Sequence, residues 1–219
     1  MIALTPDGPP GRPLTLLCLG AHADDIEIGS AATVRRLLAG RPGSSVRWVV
    51  FSADAVRAEE ARAAAAAVLA DAGSARVDVL DRPDGLFPAD LPAIKAVFET
   101  LRREVRPDLI LTHRRDDAHQ DHRTLAEMTA NTFRDHLVLA YEIPKYDGDL
   151  GNPALFVPLT AEEAHAKASL LLDAFPSQRA RRWFNADTFL GLMRLRGVQC
   201  AAPDGFAEAF DGPKVRVSP

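Results

Sequence analysis

Short apolar runs alternate regularly with helical segments over the first 142 residues, and this alternation is the feature that most limits the fold. The first run, residues 14–20, lacks polar alternation, which is typical of a strand buried on both faces of a sheet. The pattern predicts an α/β protein with a three-layer, Rossmann-like fold, in which helices cover both faces of a mostly parallel sheet. The other predicted strands are 46–51, 76–80, 108–112 and 137–142, and the helices between strands are 28–38, 55–72, 91–103 and 121–134.

The pattern changes after residue 142. A loop rich in Gly, Asp and Pro covers residues 145–153, and further helices are predicted at 160–173 and 189–196. Thr160 and Glu163 have the spacing of a capping box. A length of 219 residues suits one domain. We therefore predict a single domain over residues 1–219, with a Rossmann-like part at 1–142 and a C-terminal part at 143–219 that shapes the substrate pocket.

Composition and charge narrow the choice of partners and location. The net charge is −4 and the two signs are intermixed, so nothing in the charge favours a nucleic-acid partner. The N-terminus lacks the basic start and long apolar stretch of a signal peptide, and no apolar run is long enough to span a bilayer. Two cysteines are too few for a disulfide framework. We predict a cytoplasmic protein without a membrane span, and a homo-oligomer is compatible with the sequence.

A histidine and two adjacent aspartates follow the first predicted strand directly: His22, Asp24 and Asp25. In an open parallel sheet, ligands bind beyond the carboxyl ends of the strands, so chemistry is expected here. Adjacent carboxylates repel each other, and a bound cation relieves that repulsion. The alternative is structural, with one aspartate capping the next helix, but a cap requires only one side chain.

Three of the six histidines lie within ten residues after the fourth predicted strand: His113, His119 and His122. Imidazole is the commonest nitrogen ligand of zinc, and a nearby aspartate can fix the tautomer of a ligating histidine. Residues 119–122 form a compact His-x-Asp-His sequence. The alternative is a solvated loop that caps the following helix through Asp121. Because the first and fourth strands are expected to be neighbours, the two polar stretches are predicted to meet.

Together the two stretches resemble the motifs of the PIG-L-like, or LmbE-like, de-N-acetylases. Members of that family carry Ala-His-Pro-Asp-Asp after the first strand and a later His-Pro-Asp-His or similar. Here the stretches are Ala-His-Ala-Asp-Asp at 21–25 and His-Gln-Asp-His at 119–122. Ala23 and Gln120 replace the two prolines, which removes rigidity but no metal ligand. The resemblance covers most of the first 142 residues.

The resemblance implies an N-deacetylase and a role for each matching residue. The implied enzyme is a zinc-dependent hydrolase that removes the N-acetyl group from a small-molecule amino sugar or sugar conjugate, such as an N-acetylglucosamine conjugate. Asp24 corresponds to the general base, and His119 to the residue that stabilises the oxyanion and protonates the leaving amine. Asp121 corresponds to the residue that orients His119. The ligands of one Zn²⁺ ion, with a fourth position open for water, correspond to His22, Asp25 and His122.

Four further residues are predicted to contact the substrate. Arg57 opens the second helix, where family members often have a substrate-binding arginine; the alternative is an exposed ion pair with Glu60. His113 and Asp116 either line the pocket or hold the loop. Glu142 ends the fifth strand at the same edge, where it is expected to bond sugar hydroxyls.

Two other functions fit parts of the pattern. Two histidines and one carboxylate also suit a non-heme Fe(II) enzyme, although such an enzyme has no need of the paired Asp24 and His119. Acidic residues after the first strand suit a non-catalytic module that binds magnesium or phosphate, but the clustered histidines do not. Metal analysis of the purified protein distinguishes these two functions from that of a zinc hydrolase.

Overall fold

The structure is a computed structural model that describes residues 11–212. Strands and helices alternate as predicted from β1 to β5, and two further strands and two further α-helices follow. The strands are β1 (Thr15–His22), β2 (Ser45–Ser52), β3 (Ser74–Val79), β4 (Leu109–His113), β5 (Val138–Tyr141), β6 (Leu155–Leu159) and β7 (Phe206–Asp211). The helices are α1 (Asp25–Gly40), α2 (Ala55–Val68), α3 (Leu91–Glu104), α4 (Gln120–Thr132), α5 (Ala161–Ala174) and α6 (Ala186–Gln199).

All seven strands form one sheet, in the order β3-β2-β1-β4-β5-β7-β6. The first five strands in the chain are parallel, and β7 pairs antiparallel with both β5 and β6. At the centre of the sheet, Leu16 pairs with Val46 of β2 on one side and with Leu109 of β4 on the other. The predicted α/β fold with a mostly parallel sheet is confirmed.

Helices cover both faces of the sheet, which explains the continuous apolar run in β1. Leu16 and Cys18 pack into a core shared with α1 and α2, whereas Leu17 and Leu19 pack into a second core with α3 and α4. All four side chains are completely buried. A strand with helices on both sides has no polar face, so its sequence does not alternate.

The start of α1 differs from the prediction in a way that shapes the site. The helix begins at Asp25 instead of residue 28, and the helix dipole favours the Asp25 carboxylate in its first turn. The second helix ends at Val68, four residues before the predicted end. None of the helices in residues 11–212 is both long and apolar enough to cross a membrane.

The C-terminal part completes the same sheet. The capping box of Thr160 and Glu163 is formed at the start of α5, as predicted. Strands β6 and β7 were not predicted, because Pro158 and the buried charge Glu208 interrupt their apolar pattern. The proposed division at residue 142 remains a prediction, and its terminal stretches, 1–10 and 213–219, lie outside the described residues.

Candidate metal centre and active site

The candidate site lies at the carboxyl edge of the sheet, where the neighbouring strands β1 and β4 end. His22 is the last residue of β1, and Asp25 is the first residue of α1. From the other side, His119 holds the N-cap position of α4, and Asp121 and His122 follow in its first turn. The two polar stretches therefore meet at one place.

Three donor atoms of these residues form a nearly equilateral triangle, which we call the metal triangle. His22 Nδ1 lies 3.3 Å from Asp25 Oδ2 and 3.2 Å from His122 Nε2. The third side, from His122 Nε2 to Asp25 Oδ2, measures 3.5 Å. Ligands at about 2.0–2.1 Å from a tetrahedral zinc ion are themselves about 3.3–3.4 Å apart. The donor types and their spacing therefore fit a zinc-type ion with one open position.

Further donor atoms surround the metal triangle. A nitrogen of His119 lies within 4.8 Å of donors on His22 and His122. On the buried side, a nitrogen of His113 lies within 4.8 Å of donors on Asp25 and His122. The cluster could hold a metal ion, and its set of donors is larger than the three ligands that the sequence predicts.

Carboxylates contact the second ring nitrogen of both histidines in the triangle. Asp117 Oδ2 lies 3.0 Å from His122 Nδ1. Asp84 Oδ1 and Asp121 Oδ2 lie 3.0 Å and 3.3 Å from His22 Nε2. A histidine that binds a metal usually donates its other N–H to such a group, which fixes the ring and its tautomer. Both imidazoles therefore have carboxylate partners of the kind that metal-binding histidines have.

The hydrogen bonds of the Asp121 carboxylate go to groups other than His119, and its orienting role stays a prediction. The carboxylate is completely buried, and besides His22 it accepts hydrogen bonds from the backbone N–H groups of Gly85 (2.6 Å) and Phe87 (3.0 Å). A buried carboxylate requires such donors, and these satisfy it. The link to His119 comes from the backbone, because the Asp121 N–H donates to His119 Nδ1 at 3.3 Å.

The neutral ring of His119 carries one proton, and its position follows from a hydrogen bond. Its Nδ1 accepts a hydrogen bond, so the proton of the neutral ring is carried by Nε2. Partial burial lowers the pKa of His119, and the neighbouring His122 and His22 lower it further. The arrangement favours a neutral imidazole whose Nε2–H is available as a donor.

Asp24 lies beside the metal triangle and is held there by an arginine. It occupies the N-cap position of α1, but its side chain makes no capping hydrogen bond, so the structural alternative is wrong for this residue. Arg57 Nη2 donates to Asp24 Oδ1 at 2.7 Å. Burial raises the pKa of Asp24, and the charge of Arg57 opposes that rise. The alternative partner of Arg57, Glu60, instead accepts hydrogen bonds from Ser177.

The pKa values of two buried carboxyl groups near the start of α1 are shifted in opposite directions. Burial alone raises the pKa of Asp25, but three nearby imidazoles, that of His122 first, hold it well below its usual value. Glu27 is completely buried, and neither of its oxygens has a hydrogen-bond partner in the described part of the chain. Burial therefore raises the pKa of Glu27 well above its usual value. Asp25 is the anionic group of the two, as a metal ligand must be.

His113, a predicted substrate contact, is buried against the predicted ligands. Its Nε2 accepts a hydrogen bond from the Ala21 N–H at 2.9 Å and lies 3.2 Å from Asp25 Oδ2. Its ring stacks on that of His122, with centroids 3.9 Å apart. The residue is 1% exposed, so it packs behind the ligands.

The two acidic residues predicted to contact substrate are each paired with an arginine. Asp116 is exposed, and its Oδ2 accepts a hydrogen bond from Arg114 at 2.7 Å. Glu142 is buried, and both of its oxygens accept hydrogen bonds from Arg196 of α6. A buried charge is costly without a counter-ion, and Arg196 of α6 supplies one for Glu142. Glu142 thus forms an internal ion pair, and its predicted bond to a sugar stays a prediction.

A comparison with protein families matched residues 17–133 to PIG-L, described as GlcNAc-PI de-N-acetylase. The match covers more than half of the chain. The chain belongs to this family. The matched region of this PIG-L protein contains Asp24, His119 and all three residues of the metal triangle. The expected family is confirmed, and with it the expected class of enzyme, a hydrolytic deacetylase.

Solved structures with the same fold carry more than one activity. N,N'-diacetylchitobiose deacetylase from Pyrococcus horikoshii is 18% identical, with a TM-score of 0.68 over 91% of this chain and 83% of that one. A zinc-inhibited form of teicoplanin deacetylase Orf2 is 14% identical, with a TM-score of 0.69 over 93% and 98%. GalB, the 4-carboxy-2-hydroxymuconate hydratase from Pseudomonas putida KT2440, is 17% identical, with a TM-score of 0.70 over 94% and 98%. A search of curated proteins gave no match.

Sequence reasoning missed three acidic residues of this PIG-L site: Glu27, Asp84 and Asp117. Asp117 lies in the histidine-rich stretch, but its spacing to His122 does not reveal that the loop folds back on the helix. Asp84 follows β3, and its only signal is an acidic residue beyond the carboxyl end of a strand. In the sequence, Glu27 cannot be distinguished from an ordinary acidic residue in the first turn of a helix.

Proposed function

We propose that this PIG-L protein is a zinc-dependent hydrolase that removes the N-acetyl group from an N-acetylated amino sugar or sugar conjugate, giving acetate and a free amine. The observation that carries the proposal is the metal triangle, with Asp24 held beside it by Arg57. The family's description as a de-N-acetylase supports the same reaction class.

His22, Asp25 and His122 are the ligands in this proposal. The Asp25 carboxylate supplies negative charge, and the two imidazoles supply lone pairs once they are neutral, so metal and protons compete for the site. A zinc ion bound there supplies Lewis acidity, which polarises an amide carbonyl and makes water more acidic.

Asp24 acts as the general base. Arg57 engages its Oδ1, which leaves Oδ2 to take a proton from the attacking water. Burial raises the pKa of this carboxyl, which makes it a stronger base. His119 donates from Nε2–H to the carbonyl oxygen as that oxygen becomes an anion.

The proton balance assigns the protonation of the leaving amine to Asp24. The water oxygen bonds to the acetyl carbon, the C–N bond breaks, and the amine nitrogen takes a proton. A neutral His119 has only its Nε2 proton, which the oxyanion needs. Asp24 has just received a proton from the water, so it is the better donor to the amine. This differs from the role in amine protonation that the resemblance implies for His119.

The alternatives are less well supported. A non-heme Fe(II) enzyme would use the same three ligands but gives no role to the Asp24–Arg57 pair. A magnesium- or phosphate-binding module is disfavoured because two of the three closest donors are imidazole nitrogens, whereas magnesium prefers oxygen. We further propose a cytoplasmic location, with no nucleic-acid partner.

The test combines metal analysis with acetate release. The purified protein is assayed for bound metal, and acetate is measured over a panel of N-acetylglucosamine conjugates. Near-stoichiometric zinc and acetate release are expected. Asp24→Asn keeps an acceptor for Arg57, so the fold and the metal content should persist while turnover falls about a hundredfold or more.

The matched control is Asp71→Asn, the same change at an exposed residue beyond the far end of α2. It should leave both metal content and turnover unchanged. Equal acetate release from the wild type and Asp24→Asn would overturn the assignment of the base. Stoichiometric iron without acetate release would favour the oxygenase alternative.

A further inference from the structure

The loop between β4 and α4, residues 114–119, carries a carboxylate that contacts one corner of the metal triangle. Asp117 Oδ2 lies 3.0 Å from His122 Nδ1, and Asp117 Oδ1 accepts a hydrogen bond from the His119 N–H at 2.8 Å. The Asp117 side chain is 3% exposed, so it depends on such partners within the protein. The position of this carboxylate therefore determines how the His122 ring is held.

A lysine from a different part of the chain reaches the same carboxylate. Lys145 follows β5, and its Nζ lies 3.1 Å from Asp117 Oδ1 and 2.5 Å from Asp149 Oδ2. The side chains of Lys145 and Asp149 are only 10% and 14% exposed. Water and salt screen such a pair much less than an exposed one, so each charge is held firmly by its counter-ions.

Asp149 also contacts the loop directly. Its Oδ2 accepts a hydrogen bond from the Ala118 N–H at 2.6 Å, and its backbone carbonyl accepts one from Arg114 Nη1 at 2.9 Å. Lys145 and Asp149 together thus contact the loop at its first residue and again near its end. The Lys145–Asp149 pair joins the segment after β5 to the loop that leads into α4.

We propose that Lys145 and Asp149 are positioning residues for metal binding, which hold the β4–α4 loop and the Asp117 carboxylate where His122 can act as a ligand. The inference rests on the proposed function, because it takes the bound ion to be the catalytic zinc. The charges of the lysine and the aspartate cancel, so the pair adds no net charge beside the ion. Its contribution is geometric, since groups that orient a ligating histidine strengthen metal binding.

Geometry and charge predict different results for substitutions in this pair. Lys145→Met removes a positive charge near the ion, so charge alone would strengthen zinc binding. Asp149→Ala removes a negative charge, so charge alone would weaken zinc binding. If the pair acts by holding the loop, both substitutions weaken zinc binding. The direction of the two changes therefore distinguishes the two explanations.

The test measures the dissociation constant of zinc for the whole chain, by competition with a chelator of known affinity. Lys145→Met and Asp149→Ala should each weaken zinc binding about tenfold, the lower end of the loss expected when the partner of a ligating histidine is removed. The double variant keeps the net charge of the wild type and should weaken binding at least as much. Because it leaves neither buried charge unpaired, it is expected to fold even if a single variant does not.

A double-mutant cycle tests whether Lys145 acts through Asp117. Asp117→Ala alone should weaken zinc binding about 10–100-fold. In the Asp117→Ala protein, Lys145→Met should cause no further weakening, because the carboxylate that the lysine holds is gone. A lysine that only stabilised the fold would weaken zinc binding equally with and without Asp117.

The matched controls are Lys95→Met and Glu99→Ala, which make similar changes in an ion pair on α3. The two side chains are 2.9 Å apart and are more exposed than those of the Lys145–Asp149 pair. Their helix carries none of the residues of the metal triangle. Both controls should leave the dissociation constant of zinc unchanged.

Tighter zinc binding by Lys145→Met with weaker binding by Asp149→Ala would overturn the proposal in favour of a charge effect. Unchanged binding by both variants, or an equal effect of Lys145→Met with and without Asp117, would also overturn it. In these cases, acetate release by the wild type would leave the proposed function intact. Weaker zinc binding by both single variants and the double variant, with the lysine effect lost in Asp117→Ala but no acetate release by the zinc-loaded wild type, would support the positioning role and overturn the proposed function.

Discussion

Among the almost completely buried acidic side chains near the site, four have different partners. Asp24 contacts an arginine, and Asp25 lies among three imidazoles. Glu142 forms an ion pair with Arg196, and Glu27 has no hydrogen-bond partner in the described part of the chain. At the scale of single residues, the partner determines whether a buried carboxyl group is ionised or neutral.

The Glu142–Arg196 pair leads to a stability prediction. Glu142→Ala leaves the Arg196 guanidinium buried without its counter-ion, so the free energy of unfolding should fall by about 3–5 kcal/mol. Urea denaturation measures this change. Glu59→Ala, which breaks an exposed ion pair with Arg62, should change stability by less than about 1 kcal/mol.

A different result would revive the role that the sequence suggested for Glu142. If Glu142→Ala left stability unchanged but raised KM for an N-acetylated substrate, the carboxylate would be a substrate contact. The internal ion pair would then contribute little to the fold.

At the scale of secondary-structure elements, α6 packs closely against the start of β7 at Gly197, because glycine has no side chain. A Cβ on Gly197 would overlap the backbone of Gly205 and Phe206, at the turn that leads into β7. Gly191, six residues earlier on the same helix, has no atom within 4 Å of its would-be Cβ. The close approach holds the C-terminal helix against the strand that continues the sheet from β5.

These two glycines give opposite predictions for one substitution. Gly197→Ala should destabilise the protein by about 1–3 kcal/mol, because the helix must move away from the turn. Gly191→Ala should stabilise it by about 0.5–1 kcal/mol, because alanine is the better helix former. Urea denaturation of both variants tests the packing, and equal effects of the two changes would contradict it.

The individual elements also show which parts of the fold can be predicted from the sequence. Strands β1, β2 and β4 are predictable because helices cover both faces of the central sheet, so burial appears directly as apolar residues. Strands β6 and β7 contain Pro158 and Glu208, and Glu208 is stabilised by Lys167 from a helix 41 residues away in sequence. The metal triangle follows from two motifs, but the contacts of Asp117 and Asp121 depend on loop conformations that spacing does not encode.

At the scale of the whole molecule, the metal triangle links two distant parts of the chain. His22 and Asp25 belong to β1 and α1, whereas His122 belongs to α4, on the opposite face of the sheet. An ion bound there would connect the two helical layers at the carboxyl edge. The proposed chemistry depends on this convergence more than on any other feature.

Anomalous diffraction at the zinc absorption edge, from crystals of the zinc-loaded protein, tests this convergence most directly. The account predicts one strong peak with bonds of about 2.0–2.2 Å to His22 Nδ1, an Asp25 oxygen and His122 Nε2. A peak bound by the neighbouring set of His22, Asp84, His119 and Asp121 instead, or the absence of any peak at the triangle, would contradict it.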